Sequence, residues 1–390
     1  MSSPEKLKIL ATIPSGFCFG VQISTVEFFS RFPDNVQSHF LLTKWTDGEM
    51  EKLLNRHGIS SSYSWLGMFS RKMDWHNLRM SLHALIKLPK LYFDFIRLIR
   101  SQQPDILFFS NHHELILLYP VLIFTKRKIV CHMHDPTPAI PFQKKTFRFY
   151  GAIVDRFIAI TENVRQRTIA LGCDPDKIQI IHMATKVPLN KKEDRLNNFC
   201  RKAGWPDKCF IVGITGQMTP TKGLMDLLEA FKLLYQRNNN ARLVIGGKPS
   251  GAFYEELQQK ISEWGLDAFV LFPGWLPDVS FFFRNIDAYV LASRHEEGFG
   301  MVVAEAMIAY VPVVVTASGG VVELVKDGIT GYVVEKANPL QMSDRLYHLS
   351  KFPQTCQGMA QEARKRIEEH FDIEKQSQKM AEFLFNTVKK

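Results

Sequence analysis

Residues Ser293–Met307 read Ser-Arg-His-Glu-Glu-Gly-Phe-Gly-Met-Val-Val-Ala-Glu-Ala-Met, between an apolar run that ends at Leu291 and a second run, Val311–Val315. Gly298 and Gly300 allow a tight turn in which the backbone approaches a ligand closely. The residues after Gly300 predict a helix, whose free N–H groups and dipole favour an anion such as a diphosphate. The stretch therefore predicts a strand, an anion-binding turn, a helix and a further buried strand.

The same alternation extends outward over the whole chain. Continuous apolar runs suit strands buried on both faces, and amphipathic stretches lie between them. The runs lie at 7–13, 38–43, 105–110, 128–131, 156–160 and 178–182, and then at 210–216, 242–246, 269–272, 288–291, 311–315 and 332–334. This pattern predicts an α/β protein with two doubly wound Rossmann-like domains, whose ligands bind beyond the carboxyl ends of the strands.

The domain boundary is predicted in the polar stretch between Thr185 and Lys208. A chain of 390 residues is too long for one ordinary domain, which agrees with a division into two. We therefore expect domains at 1–185 and 186–372. Residues 373–390 predict an amphipathic helix that packs back on the N-terminal domain.

The net charge of +10 is concentrated in the first half of the chain. Residues 1–183 hold 23 Lys and Arg against 15 Asp and Glu, whereas residues 184–390 hold 26 against 24. Such a field favours anionic partners, and we expect these to be lipid-linked or glycan acceptors, not nucleic acid. The stretches 78–100 and 142–150 mix basic and apolar side chains. Each could lie on an anionic membrane or form a helix packed on the sheet with a basic wet face.

Location and metal content are also indicated by the sequence. The apolar stretch 7–13 is too short for a secretory signal, and the longest apolar run, 115–124, is too short for a membrane span. We expect a cytoplasmic protein, with peripheral contact to the inner face of the membrane as an option. The six cysteines are scattered without a CxxC pair, so buried reduced thiols are expected, not disulfides or zinc ligands. No metal is expected at His112-His113, because adjacent side chains point in different directions.

Two carboxylates flank the predicted anion-binding turn. Glu297 stands before it, and Glu305 follows about one helical turn, or about 6–8 Å, inside the helix. Both could accept hydrogen bonds from the hydroxyl groups of a long ligand whose phosphates bind at the helix start. A nucleoside diphosphate sugar has that shape.

This stretch resembles the Glu-x7-Glu signature of retaining glycosyltransferases of family 4, which have the GT-B fold of two Rossmann-like domains facing a central cleft. The resemblance is strong over residues 210–335 and looser over residues 1–180. Further segments that are similar to the family are Gly216-Gln-Met-Thr-Pro-Thr-Lys222-Gly223, Pro312-Val-Val-Val, Gly319-Gly320-Val-Val-Glu323, Asp327-Gly-Ile-Thr-Gly331, the opening from Lys8 to Gly20, Pro104-Asp105-Ile-Leu and His132-Met-His134-Asp135.

The resemblance implies a role for each matching residue. Glu297 would bind the hydroxyls of the donor sugar, Glu305 the ribose hydroxyls, and Lys222 the distal phosphate, where it offsets charge on the departing diphosphate. The catalytic set would be Glu297, Lys222 and His134. Backbone groups would complete the donor site at Gly216, Gln217, Trp275, Leu276, Gly298, Phe299, Gly300, Met301 and Val302.

The acceptor side would lie in the N-terminal domain, with Gly20, His134 and Asp135 lining the cleft. The implied reaction is transfer of a hexose, with retention of configuration, to a lipid-linked or polysaccharide acceptor in envelope or exopolysaccharide synthesis. The resemblance implies neither a cofactor nor a metal.

The sequence departs from the family at three places. Gln217 stands where the family has an arginine, so another cation, Lys248 or Arg294, would have to replace it. Tyr310-Val311 replaces the usual glycine before Pro312, so that turn must be built differently. The glycine pair of the first loop is Phe19-Gly20.

The sequence bears on four other functions. A sugar-nucleotide epimerase of the same fold would need additional acid/base carboxylates, and a Rossmann oxidoreductase would need a Gly-x-Gly-x-x-Gly after the strand at 7–13 or at 210–216. A glycoside hydrolase needs two carboxylates across an open groove. A catalytically weak sugar-nucleotide-binding or scaffold protein is favoured only by Gln217.

Overall fold

The computed structural model describes residues 6–16, 20–66, 75–186, 196–249, 251–276 and 278–389, without the side chains of 75–78 and 80. The chain divides into unit 1, residues 1–184 with 373–390, and unit 2, residues 185–372. Phe19 and the charged residues 191–195 of the predicted boundary lie outside the described residues.

Unit 1 is built on a seven-stranded parallel sheet in the order β3-β2-β1-β4-β5-β6-β7. Its strands are β1 (Leu7–Ile13), β2 (Val36–Thr43), β3 (Ser60–Ser64), β4 (Ile106–Phe109), β5 (Lys128–Met133), β6 (Arg156–Ala159) and β7 (Ile178–Ile180). Its helices up to residue 170 are α1 (Gly20–Phe29), α2 (Glu49–Arg56), α3 (Trp75–Gln102), α4 (His112–Leu122), α5 (Pro141–Gly151) and α6 (Glu162–Ala170).

Unit 2 has a six-stranded parallel sheet in the order β10-β9-β8-β11-β12-β13. Its strands are β8 (Phe210–Thr215), β9 (Ala241–Gly246), β10 (Val270–Gly274), β11 (Ala288–Leu291), β12 (Val313–Thr316) and β13 (Tyr332–Val334). Its helices are α7 (Asn198–Ala203), α8 (Leu224–Arg237), α9 (Ala252–Glu263), α10 (Val279–Phe283), α11 (Met301–Ile308), α12 (Val321–Leu324), α13 (Pro339–Lys351) and α14 (Pro353–His370).

The last helix of the chain, α15 (Ile373–Lys389), belongs to unit 1. Its buried Met380 and Leu384 join the core of that unit. The Ser377 hydroxyl donates a hydrogen bond of 2.6 Å to the carbonyl of Phe28 in α1. The amphipathic helix predicted at the end of the chain is therefore present.

The predicted α/β class with two parallel Rossmann-like sheets is confirmed. All twelve apolar runs contain a strand, with ends shifted by a few residues. Among the described residues, the one strand that no apolar run predicted is β3, whose residues are Ser-Ser-Ser-Tyr-Ser. Because β3 lies at the edge of the sheet and is half-exposed, it needs no apolar run.

In each sheet the strand order reverses at one point, between β1 and β4 in unit 1 and between β8 and β11 in unit 2. Ligands of doubly wound folds bind beyond the carboxyl ends of strands at such switch points. In unit 2, Gly216 and the stretch from Ser293 onward follow these strands. The topology therefore brings Gly216 and the stretch that begins at Ser293 to one edge of the second sheet.

A buried carboxyl group lies at the switch point of unit 1. The hydroxyls of Thr12 and Ser110 both donate to the side chain of Glu114 in α4, and all three side chains are buried. Burial raises the pKa of Glu114 well above its usual range, although hydrogen bonds from Ser110 and from the backbone of Asn111 act in the opposite direction. Folding therefore favours the protonated form of Glu114.

This carboxyl group makes folding stability depend on pH. In the unfolded chain Glu114 ionises near pH 4.3, so the free energy of unfolding falls as pH rises above that value, by about 1.4 kcal/mol per pH unit until the folded group ionises. We expect Glu114→Gln to remove this loss, so that its Tm relative to wild type rises between pH 5 and pH 8. A Tm difference that is the same at both pH values would contradict this assignment.

Two findings concern membrane-spanning helices and cysteines. Among the described residues, no helix has the combination of length and hydropathy that a membrane span requires. Of the described cysteines, Cys131, Cys173, Cys200 and Cys209 are buried and Cys356 is partly buried, and none forms a disulfide.

Candidate active site

Glu297 is the centre of the site in unit 2. It lies in the loop between β11 and α11, and only 14% of its side chain is exposed. Lys222 Nζ is 2.8 Å from Glu297 Oε1, and the Ser293 hydroxyl donates to the same oxygen. His295 Nε2 lies 3.5 Å from it. These contacts connect the loop after β8 to the loop after β11, the two strands of the switch point.

These neighbours keep Glu297 ionised. Burial alone would raise the pKa of its carboxyl group, but the charge of Lys222 and hydrogen bonds from Lys222 and Ser293 lower it further than burial raises it. His295 acts in the same direction. Among the described residues these contacts fall on Oε1, so Oε2 can accept a hydrogen bond from a ligand hydroxyl.

A glycine pair holds the backbone of Glu297 in place. Gly320 N donates to the Glu297 carbonyl at 2.8 Å. Gly319 has a φ of 58°, and a Cβ built on it would lie 2.2 Å from the same carbonyl oxygen. The sequence alone assigned no role in the site to this pair or to Ser293. Their contribution depends on contacts between separate loops, which spacing in one stretch does not show.

The glycine turn leads into α11 as predicted. Gly300 has a φ of 94° and a Cβ on it would lie 2.9 Å from Val321 Cγ2, so a side chain would not fit. Helix α11 begins at Met301, which places the N–H groups of Met301 and Val302 in its first turn. Phe299 is buried, its ring 5.5 Å from that of Phe371, so only its backbone is available to a ligand.

Three glycine loops form the neighbouring part of the sheet edge. Gly216 N donates to the Gly246 carbonyl at 3.1 Å, and Gly247 N donates to the Gly274 carbonyl at 3.0 Å. A Cβ on Gly247 would lie 2.1 Å from the Gly216 carbonyl oxygen. Beyond these loops, the side chains of Gln217 and Trp275 are exposed and Leu276 is half-buried.

Arg294, one candidate to replace the missing arginine, pairs with Asp226. Its Nε donates to Asp226 at 2.7 Å, a second guanidinium nitrogen contacts the other oxygen, and Asp226 is buried. The hydrogen bonds and charge of Asp226 raise the pKa of Arg294. Because its side chain is half-exposed, Arg294 stays a candidate beside Lys248. Lys248 is exposed and follows directly on Gly247.

Glu305 lies on α11, one turn after Met301, and lines a cavity of about 800 Å³ between α10, α11 and α14. The wall of this cavity includes Phe210, Asp287 and Pro312, which lie at the amino ends of β8, β11 and β12. Burial raises the pKa of its carboxyl group to about 7. Protonated and ionised forms are therefore both populated near neutral pH. A ligand whose hydroxyls donate to Glu305 would favour the ionised form.

Tyr310 forms the turn between α11 and β12 with a φ of 59°, a conformation that favours glycine. The guanidinium of Arg364 lies 4.8 Å from the centre of its ring. The turn before Pro312, where the family has a glycine, is thus formed by a tyrosine in the left-handed conformation, which a cation–π contact holds in place.

We expect Tyr310→Gly to raise the free energy of unfolding by about 0.5–1 kcal/mol. It removes about 1–2 kcal/mol of left-handed strain and loses a cation–π contact of about 0.5–1 kcal/mol. Tyr310→Ala keeps most of the strain and loses the ring, so it should destabilise the protein. Urea denaturation of both variants tests this, and a Tyr310→Gly variant no more stable than Tyr310→Ala would contradict it.

In unit 1, His134 directly follows β5. It is buried, its ring lies 4.0 Å from that of His132, and neither of its ring nitrogens has a hydrogen-bond partner among the described residues. Burial lowers the pKa of His134 to about 3, so the ring is neutral. Asp135, next in the chain, and Gly20, the first residue of α1, are both exposed.

The described residues contain no group of three or more His, Cys, Asp or Glu side chains placed to hold a metal ion. His112 is buried against Phe147, with ring centres 5.1 Å apart.

Comparisons with known proteins give two family matches. A model described as glycosyl transferases group 1 matches residues 197–366, and one described as glycosyltransferase family 4 matches residues 71–185. The D-inositol 3-phosphate glycosyltransferase of Mycobacterium tuberculosis is 32% identical over 211 residues, which are 52% of this chain and 42% of that protein. The chain thus spans less than half the length of that relative.

Solved structures share the fold over nearly the whole chain. HepE of Anabaena, solved with UDP and glucose, has 20% identity and a TM-score of 0.79, over 97% of this chain and 100% of that one. A glycosyltransferase from Rickettsia africae has 20% identity and a TM-score of 0.81, over 98% and 99%. These are GT-B glycosyltransferases, and the two family matches fall in unit 1 and in unit 2. The chain belongs to the glycosyltransferases of family 4.

Proposed function

We propose that this protein transfers a hexose from a nucleoside diphosphate sugar to an acceptor hydroxyl, with retention of configuration. The observation that carries the proposal is the Lys222–Glu297 pair at the switch point of the second sheet, next to the start of α11. It supplies a cation and an ionised carboxylate beside an anion-binding helix start. The cation and the helix start suit the phosphates of a nucleotide sugar, and the carboxylate suits its sugar hydroxyls.

The proposed donor pose assigns a task to each group. The N–H groups of Met301 and Val302 bind the diphosphate, Glu297 accepts from the sugar hydroxyls, and Glu305 accepts from the ribose. Lys222 moves from Glu297 to the distal phosphate as the donor binds. The bond between the anomeric carbon and the phosphate oxygen breaks, the acceptor oxygen bonds to that carbon, and the acceptor proton passes to the diphosphate. Lys222 stabilises the charge that develops on the leaving oxygen.

The acceptor is proposed to be an anionic lipid-linked or polysaccharide glycan, presented at the inner face of a membrane. The surplus of basic residues in the first half of the chain supports this. No metal is proposed for the reaction, because Lys222 and the N-terminus of α11 would stabilise the negative charge of the diphosphate. His134, Asp135 and Gly20 are proposed for the acceptor side.

Donor binding can be tested by thermal shift with UDP, GDP, ADP and their sugar conjugates. Uridine conjugates come first because HepE, which has a similar fold, has been solved with UDP-glucose. A ligand at 100 times its Kd should stabilise the protein by about 2.7 kcal/mol. We expect Glu305→Ala to lose this response. Glu296→Ala should keep it, since Glu296 pairs with Lys336 and not with the proposed donor groups.

A second function, a non-catalytic sugar-nucleotide-binding protein, is favoured by Gln217 alone. It would show the same thermal shift but no donor turnover. If no nucleotide stabilises the wild-type chain, both functions fail, because both require a donor site in unit 2.

A further inference from the structure

We propose that α3, α4 and α5 form a docking surface for an anionic lipid bilayer. The inference rests on one part of the proposed function, that the acceptor is presented at a membrane, and it names the surface that would make the contact. The surface belongs to unit 1 and uses none of the donor-site residues.

Helix α3 has two apolar faces, and only one of them is covered. Ala84, Leu91 and Phe95 are buried in unit 1. On the opposite side of the helix, a stripe of apolar residues is open to solvent. The stripe consists of Leu82, 56% exposed, Leu85, 52%, Ile86, 65%, Phe93, 65%, and Ile96, 36%.

The spacing of the stripe shows that it is one continuous surface. At 100° per residue, these five positions fall within an arc of about 100° on the helix, with exposed Pro89 among them. The stripe is about 21 Å long, from residue 82 to residue 96 at 1.5 Å per residue. An ordinary packed helix has polar residues on this side, so the exposed stripe calls for a partner.

The stripe continues onto α4 and α5. The connections β3–β4, β4–β5 and β5–β6 all advance in the same direction along the sheet, so right-handed crossovers place α3, α4 and α5 on one face. The Tyr92 hydroxyl in α3 donates to the Leu117 carbonyl in α4 at 3.1 Å. The large apolar side chains that α4, its end and α5 expose are Ile116, Ile123, Phe124, Phe142 and Phe149.

The charge of these helices identifies the partner as anionic. Helix α3 carries Arg79, Lys87, Lys90, Arg97 and Arg100, and α5 carries Lys144, Lys145 and Arg148. The three helices hold two acidic residues, and neither presents an uncompensated negative charge at the surface. Asp94 accepts a hydrogen bond from the Ser64 hydroxyl and lies 3.3 Å from Lys90, and Glu114 is buried.

A bilayer fits this combination better than a protein does. The apolar side chains stand on three adjacent helices and are bordered by long basic ones, as in helices that lie in the headgroup region with lysine and arginine at the phosphates. A fluid lipid surface requires no matching groove. From the sequence alone, stretches 78–100 and 142–150 could lie on a membrane or pack on the sheet. In this structure one face of α3 packs on the sheet, and the opposite face is open to solvent, where we place the bilayer.

The test is co-sedimentation of the whole chain with vesicles of phosphatidylcholine alone or with a third of phosphatidylglycerol. We expect binding to the anionic vesicles, weakened by salt. The double variant Ile86→Glu with Phe93→Glu should bind at least about tenfold more weakly, because it places two acids in the apolar layer. Lys144→Gln and Lys145→Gln should each weaken binding about fivefold.

The matched control is Ile23→Glu. Ile23 is 41% exposed on α1, which lies on the other face of the sheet, so this variant should bind like wild type. Wild-type protein that stays in the supernatant, or a double variant that pellets as wild type does, would overturn the proposal. So would a wild-type dimer that the double variant dissociates without any vesicle binding, since the stripe would then be a protein interface. Vesicle binding is measured without nucleotide, and the thermal shift with nucleotide is measured without vesicles. Either proposal can therefore fail while the other holds.

Discussion

Lys222→Ala is expected to lower the rate of glycosyl transfer by about 10²–10³-fold, the usual effect of removing one preorganised group that stabilises developing charge. Lys222 Nζ is 2.8 Å from Glu297 Oε1, so the substitution also leaves a mostly buried carboxylate without its cation. Burial then dominates, and the pKa of Glu297 should rise. We therefore expect the residual activity to increase with pH over a range in which wild-type activity is flat.

Lys336→Ala is the matched control for Lys222→Ala. Lys336 pairs with Glu296, the residue next to Glu297, at 2.5 Å. The variant loses the same charge and a comparable ion pair, but in the proposed pose it does not touch the donor. Steady-state rates of both variants over pH 5–9 test the prediction. A Lys222→Ala rate within threefold of that of Lys336→Ala would show that Lys222 has only a structural role.

Gly319→Ala is expected to destabilise unit 2 and to impair donor binding. Its Cβ would lie 2.2 Å from the Glu297 carbonyl oxygen and 2.9 Å from Glu297 N, so the Glu297 backbone must move. The left-handed conformation of the alanine lowers the free energy of unfolding by about 1–2 kcal/mol, and the overlap of its Cβ with the Glu297 backbone lowers it by about a further 1–3 kcal/mol. The displaced carboxylate should weaken the thermal response to nucleotide, in addition to lowering the Tm.

Gly328→Ala separates the two contributions. Gly328 also has a positive φ, 73°, but no atom within 4 Å of the position its Cβ would take. The free energy of unfolding of this variant should therefore fall by only about 1–2 kcal/mol, and its thermal response to nucleotide should be unchanged. Equal Tm losses for the two variants, or an intact response in Gly319→Ala, would contradict the role assigned to the glycine pair.

The sequence predicted most of the fold because buried parallel strands are continuous apolar runs. Val311–Val315 and Leu7–Ile13 show this directly, and both contain strands. Strand β3 was missed because an edge strand of serines has no apolar signal. For α3 the sequence shows apolar residues around the helix, but only the structure shows that Phe95 is buried and Phe93 exposed.

The candidate site was predictable where its residues lie in one segment. Glu297, Gly300 and the start of α11 follow one another in the chain, and the structure brings Lys222 to Glu297 as the proposed site requires. Contacts between loops were not predictable. The hydrogen bond of Gly320 to Glu297 and the bonding of Arg294 to Asp226 depend on how separate loops meet at the sheet edge.

The most direct test of the proposed function is the release of nucleoside diphosphate from nucleotide sugars, measured with wild type and Lys222→Ala in the presence of a membrane lipid extract as acceptor. We predict release from one donor by wild type, at a rate about 10²–10³-fold above that of Lys222→Ala. Equal rates for the two proteins, or no release from a donor that stabilises the wild-type chain, would contradict catalysis at this site.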